Sequence, residues 1–347
     1  MIWLTWRQFR TQTFAILALL TAAAIYALIT GTQLRHSYTA DLATCQAQNT
    51  CFGLLNGLQE DYNGPLQLAE MLVIAAPGLI GIFWGAPLIA GELERGTHYL
   101  SWNQSVTRTR WLAVKLTGVA LASIVTAGLL SLLLTWWASP LDTISGNRFG
   151  TQAFNARGIA PLGYAAFAFA LGVTLGLLIR RTLPAMAVTL AVFIAVQVLM
   201  TVAVRPNLLP ATTTAVPINQ ATMSQAMRFD RSVAVTGPVT IDLPAPPGSW
   251  IQSETPALTS AGRPLQTGEI LSCWNQAFGQ AGASGKAGSP GFGPLGACLA
   301  PQNLHVDVTY QPANSYWPLQ WSETALYVVL AALLAAVCFQ RVRRLRS

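Results

Sequence analysis

Six stretches of this chain are long and apolar enough to cross a bilayer, and that feature restricts its fold more than any other. A hydrocarbon core of roughly 30 Å needs about 20 apolar residues in a helix. The stretches at 13–30, 69–90, 116–137, 161–179, 183–204 and 321–339 meet that requirement. None carries a charge in its middle; Glu70 and Glu323 stand near span ends. Only 10% of the 347 residues are charged and 52% are hydrophobic, whereas a soluble chain carries about 25% charged residues. Composition therefore argues against a water-soluble enzyme, and also against disorder, whose signature is high charge with low apolarity. The first stretch follows Arg7 and Arg10 and contains Ala22-Ala23-Ala24, as a signal peptide would. Five further spans and no clear cleavage site favour a retained helix.

Lys and Arg counted over short loops set the orientation. With both termini cytoplasmic, the inner segments are 1–12, 91–115, 180–182 and 340–347, and they hold twelve of the 20 basic residues. The short outer loops, 31–68 and 138–160, hold only Arg35, Arg148 and Arg157. The expected protein is multi-pass in the cell membrane, with both termini inside. Its expected blocks are 1–204 (an N-terminal interfacial helix and spans one to five), 205–320 (an extracytoplasmic domain) and 321–347 (the sixth span and a basic tail). Ile2, Trp6 and Phe9 fall on one helical face, which fits a short interfacial helix with Trp3 and Trp6 at headgroup depth; the alternative is a plain positively charged flank of the first span. The 205–320 block turns to Pro, Gly, Ser, Thr and Gln. Alternation at 305–310 and 232–235 predicts short strands, and Gly279–Gly296 reads as loop. The expected fold class is an all-α polytopic membrane protein with a small, irregular α+β extracytoplasmic domain.

Catalytic and metal motifs are missing. His36, His98 and His305 fall in different loops and no cysteine pair has C-x-x-C spacing, so no zinc site is expected. H-E-x-x-H and G-x-S-x-G do not occur. Gly285-Lys286 fails as a phosphate loop, because Gln280 replaces the first glycine and Ala287 the Ser or Thr. The expectation is a non-enzyme with no cofactor of its own. Nucleic acid is not an expected partner either; the arginines at 341–346 end a membrane helix and suit anionic lipid. Cys45, Cys51, Cys273 and Cys298 lie in outer segments, where disulfides persist. Local pairs Cys45/Cys51 and Cys273/Cys298 are expected among three connectivities, with Cys338 a buried thiol.

The 91–115 inner loop is far longer than the roughly 2–8 residues a helical hairpin needs. Gly96 can end a helix and Thr97 can cap the next. Trp102 flanked by Arg108 and Arg110 has the composition of an interface anchor; the alternative is an interfacial helix that merely snorkels its arginines. The same stretch, Phe83 to Lys115, carries an acidic pair (Glu92, Glu94), Gly96-Thr97, Trp102-Asn103-Gln104-Ser105, then Arg108, Arg110 and Lys115. This pattern resembles the type-2 permease family of ATP-binding-cassette exporters, in the branch common in actinobacteria. Val306-Asp307-Val308-Thr309-Tyr310-Gln311-Pro312 and Gln320-Trp321 ahead of the last span extend the likeness. Gly91 departs from it, since relatives often place a basic residue there.

The resemblance implies an exporter permease fold similar to the G-subfamily and a dimer with a second permease copy or a related permease. It also implies a separate ATPase subunit that binds ATP and Mg, and an amphiphilic cargo (drug, peptide or lipid), as in multidrug efflux. Glu92, Glu94, Gly96, Thr97, Trp102, Gln104, Arg108 and Arg110 are then the ATPase-coupling loop. Phe83 and Trp84, with the stripe Thr189, Phe193, Gln197 and Thr201, are candidates for a substrate path. The alternative for the stripe is helix packing, which Gly81-x-x-x-Gly85 and Gly172-x-x-x-Gly176 also suggest. Two other functional classes are compatible with the residues: a membrane-anchored ligand-binding or sensor protein acting through its outer domain, and a membrane enzyme. The inner segments are short for a sensor output domain, and no acid–base constellation is assembled for an enzyme.

Overall fold

The computed structural model describes residues 2–48, 51–94, 107–146, 148–224, 228–230, 238–243, 246–278 and 293–344. At several of these, Cys45, Cys51 and Arg108 among them, only the backbone is described. The chain divides into two units: Met1–Leu208 with Trp317–Ser347, and Leu209–Tyr316. The first unit contains six helices long and apolar enough to span a membrane, so the polytopic all-α expectation holds.

In the membrane unit α1 (Ile2–Gln48) is one unbroken helix, joining the expected interfacial segment to the first span. Next come α2 (Cys51–Ile80), a π turn (Gly81–Gly85) and α3 (Ala86–Glu94). After α4 (Arg108–Ser145) and the short α5 (Thr151–Ala156), α6 (Ala160–Ile179) forms the fourth span. The fifth span is α7 (Thr182–Leu199), a second π turn (Met200–Val204) and a 3-10 turn (Arg205–Asn207). The final helix, α11 (Tyr316–Arg344), is the sixth.

A helix apolar on all sides belongs in the interior, and α6 is that helix. Its span is 72% buried and the second 61%, whereas the other four are only 17–22% buried. Those four turn Leu28, Leu121, Leu132, Leu183, Val202 and Leu333 outward, as lipid contact requires. Both π turns stand just ahead of a proline, Pro87 and Pro206. Proline lacks an N–H, and its ring clashes with the carbonyl four residues back. A widened turn relieves that conflict, and the Ala86 and Arg205 N–H groups donate five residues back, to Gly81 and Met200. At the first π turn, Gly81 and Gly85 seat against the Ala168 and Phe169 carbonyls, while Gly172 and Gly176 seat against Gly81 and Ala86. A Cβ at Gly85 would stand 2.7 Å from the Phe169 oxygen. The two G-x-x-x-G motifs thus form a single close seam between the second and fourth spans.

The second unit is small and mixed. β1 (Thr212–Pro217), β5 (His305–Gln311) and β4 (Trp250–Glu254) form an antiparallel sheet in the order β1-β5-β4, and β2 (Arg228–Asp230) pairs with β3 (Thr240–Asp242). Val306 and Val308 of β5 are fully buried with Ile218, Met223 and Leu299, as the alternation at 305–310 predicts. The 232–235 strand lies outside the described residues. Helices α8 (Gln220–Ser224), α9 (Thr267–Phe278) and α10 (Gly293–Leu299) complete the unit. Cys273 on α9 and Cys298 on α10 form the expected disulfide. Cys338 is a buried free thiol.

Two expectations need correction. The Gly-rich loop does not extend to Gly296, because 293–296 open α10. Gly296 is small for packing, its missing Cβ making room for the Asn219 carbonyl and Met223. The second unit, Leu209–Tyr316, is also narrower than the expected 205–320 block: Arg205 and Gln320 belong to the membrane unit, held there by buried polar contacts.

Candidate functional site

Three polar assemblies sit along the membrane unit. The first lies where residues 94, 108, 180–182 and 344 end their helices, here termed the basic end. Lys115 of α4 donates to Glu92 of α3, with side-chain exposures of 3% and 11%. The Lys115 ammonium also stands 4.8 Å from the centre of the buried Trp111 ring. Two residues on, Glu94 accepts from the Thr182 backbone N–H at 3.1 Å and from its hydroxyl at 2.7 Å, capping α7. Thr107 in turn caps α4, its hydroxyl accepting from the Arg110 N–H at 3.4 Å. Both roots of the 95–106 connection are therefore fixed to packed helices. Gly96, Thr97, Trp102 and Gln104 lie outside the described residues, Arg108 is described by backbone alone, and Arg110 is exposed.

The second assembly surrounds the sequence-predicted path. Phe83 is 52% exposed on the surface of the π turn, and Trp84 is buried against Ile80, Leu88 and Phe169. Thr189 is fully buried and donates to Ala185 of its own helix. Phe193 is buried, stacked beside Phe167 and packed at Gly78. Gln197 accepts from the Tyr327 hydroxyl at 2.6 Å, while its Nε2 has no hydrogen-bond partner among the described residues. Thr201 donates to the Gln197 carbonyl. Phe193 and Gln197 therefore face α2, α6 and α11, within this chain, whereas Phe83 is exposed.

The third assembly, at the opposite end, is one that sequence reasoning missed. Arg205 donates from Nε and Nη2 to the two Glu323 oxygens at 2.7 and 2.9 Å, a two-pronged pair with side-chain exposures of 3% and 0%. Asn155 accepts from Arg205, and Tyr164 donates to Glu323 at 2.6 Å. Arg205 also lies over the Phe154 ring, 4.2 Å from its centre. The second π turn and Pro206 set the backbone position from which Arg205 makes this pair. Beside it, Gln320 accepts from the Ile159 and Ala160 N–H groups and donates to the Phe154 and Arg157 carbonyls, capping α6 where Ile159 offers no side-chain cap. Arg157 donates to both Glu70 and Asp142, on the wall of a cavity of about 570 Å³. The sequence did carry a signal: acids at span ends require partners, and Arg157 and Arg205 flank spans in otherwise base-poor loops.

A family model described as ABC-2 membrane transporter related matches residues 17–205, from within α1 to the residue that pairs with Glu323. No curated protein matches the chain, and no solved structure does.

Proposed function

We propose that this chain, which belongs to the ABC-2 membrane transporter related family, is the permease subunit of an ATP-driven exporter. Family membership makes it a transmembrane component of an ATP-binding-cassette transporter, and such a component works with a separate ATPase subunit. The exporter direction, an actinobacterial affiliation, an amphiphilic cargo and a permease dimer are our reading. So are cytoplasmic termini, which make the basic end the inner end by the distribution of Lys and Arg. ATP and Mg then belong to the partner, and this chain performs no hydrolysis.

One observation carries the reading. The 95–106 connection is the long inner segment between spans, and its roots are locked into the bundle by Glu92–Lys115 and Glu94–Thr182. A push on that connection reaches the second, third and fifth spans directly. Trp102, Gln104 and Arg108 are the residues we assign to the ATPase surface. Because Phe193 is closed against Phe167 of α6 and Gly78 of α2, a cargo path there requires α7 to part from both during the cycle, and Gln197 is the polar group that would meet cargo.

The test is reconstitution with the cognate ATPase subunit. Trp102→Ala should weaken binding by about 2 kcal/mol, and Arg108→Glu should uncouple ATP hydrolysis from transport with membrane insertion unchanged. Wild-type coupling in the double variant would overturn the assignment. Gln197→Leu should alter substrate-stimulated ATPase activity while assembly persists; loss of assembly instead favours packing alone.

A further inference from the structure

At the basic end a cavity of about 290 Å³ opens between the fourth and sixth spans, lined by Leu177, Leu178, Arg180, Arg341 and Arg344. Arg180 is the C-cap of α6 and holds a left-handed backbone (φ 58, ψ 12), a place where glycine is usual. Arg341 and Arg344 come from the last turn of α11. No acidic residue lines the cavity, and none of the three arginines makes an ion pair among the described residues. The nearby carboxylates Glu92 and Glu94 are engaged with Lys115 and Thr182. Three like charges converging on one hollow repel one another unless an anion sits among them.

We infer that this cavity is a binding site for the phosphate of an anionic phospholipid headgroup. Guanidinium groups match phosphate oxygens two at a time, and basic hollows between membrane helices are where such headgroups are held. Depth selects a lipid over a free anion, because the cavity stands where two spans end, at headgroup level. Its wall supplies the other half of the match: Leu178 is 46% exposed beside the arginines, an apolar surface for the glycerol and first acyl carbons. The inference depends only on the helices crossing a bilayer, not on the transport reading. A bland role is available to the same arginines, since cations complement helix C-termini. That role predicts no distinction between arginines of one turn.

Neighbouring arginines provide that distinction. Arg181 and Arg343 are exposed at the same helix ends yet do not line the cavity. Full-length protein, stripped of lipid in detergent, is titrated with phosphatidylglycerol, phosphatidylcholine or inorganic phosphate, with bound lipid counted by native mass spectrometry. Phosphatidylglycerol should be retained over phosphatidylcholine. Its affinity should fall about tenfold in Arg180→Gln and in Arg344→Gln, stay within twofold in Arg181→Gln and Arg343→Gln, and return only in part in Arg180→Lys, which keeps the charge but not the two-pronged contact. Equal losses in cavity and non-cavity variants would mean a diffuse basic surface and overturn the site. Inorganic phosphate displacing the lipid at equal concentration would overturn the lipid assignment, and so would lost ATPase-subunit binding with lipid retention unchanged.

Discussion

Replacing Arg205 with methionine removes the only cation bonded to Glu323 among the described residues. The carboxylate is 0% exposed and accepts two Arg205 bonds, at 2.7 and 2.9 Å. Afterwards only the Tyr164 hydroxyl, at 2.6 Å, remains to it. Removing one partner of a buried pair costs about 3–5 kcal/mol, because the survivor is left charged without compensation. Asn155, which also accepts from Arg205, loses that bond as well. Replacing both partners with apolar residues is far less damaging, so Arg205→Met with Glu323→Met should recover much of the loss. The expected coupling is about 3 kcal/mol, or roughly 150-fold in the folding equilibrium. A double-mutant cycle isolates this term, read by equilibrium unfolding in mixed micelles with tryptophan fluorescence. Coupling below about 0.5 kcal/mol would refute the pair as a fastening of the fifth span to the sixth.

Gly172→Ala places a methyl against Gly81, Gly85 and Ala86 and should destabilise the bundle by about 1–3 kcal/mol. Gly118→Ala, with nothing within 4 Å of the new carbon, should instead stabilise it by about 0.5–1 kcal/mol; both are measured by the same unfolding. Reducing Cys273–Cys298, which encloses 25 residues of sequence separation, should cost the second unit about 3.5 kcal/mol in the chain-entropy model; alkylation of both thiols without reductant would contradict the bond. Burial, then the neighbouring Asp242 charge, raises the Glu254 carboxyl above its ordinary 4.5. A raised carboxyl favours the protonated fold, so stability is full below pH 4.5 and falls as pH climbs through the folded value. Glu254→Gln should therefore stabilise the second unit at pH 7.5 and change little at pH 4, and equal gains at both would refute the titration.

The membrane architecture was legible in the residues alone. Burial in hydrocarbon is a local property of about 20 consecutive side chains, so span positions need no knowledge of neighbours. Strand β5 was legible for a similar reason, since alternation is read within one segment. The seam between Gly81/Gly85 and Gly172/Gly176 was half visible: the spacing announced close packing, but not which helix would be met. Nothing local could say that Arg205, 118 residues from Glu323, closes the fifth span onto the sixth, or that Arg157 reaches back 87 residues to Glu70. Nor could periodicity tell that Phe193 and Gln197 turn towards α2, α6 and Tyr327 rather than outward. Hydrophobicity fixes that a segment enters the membrane. Which face of it meets protein depends on complementary shape and charge from distant segments, and those meet only when the helices pack.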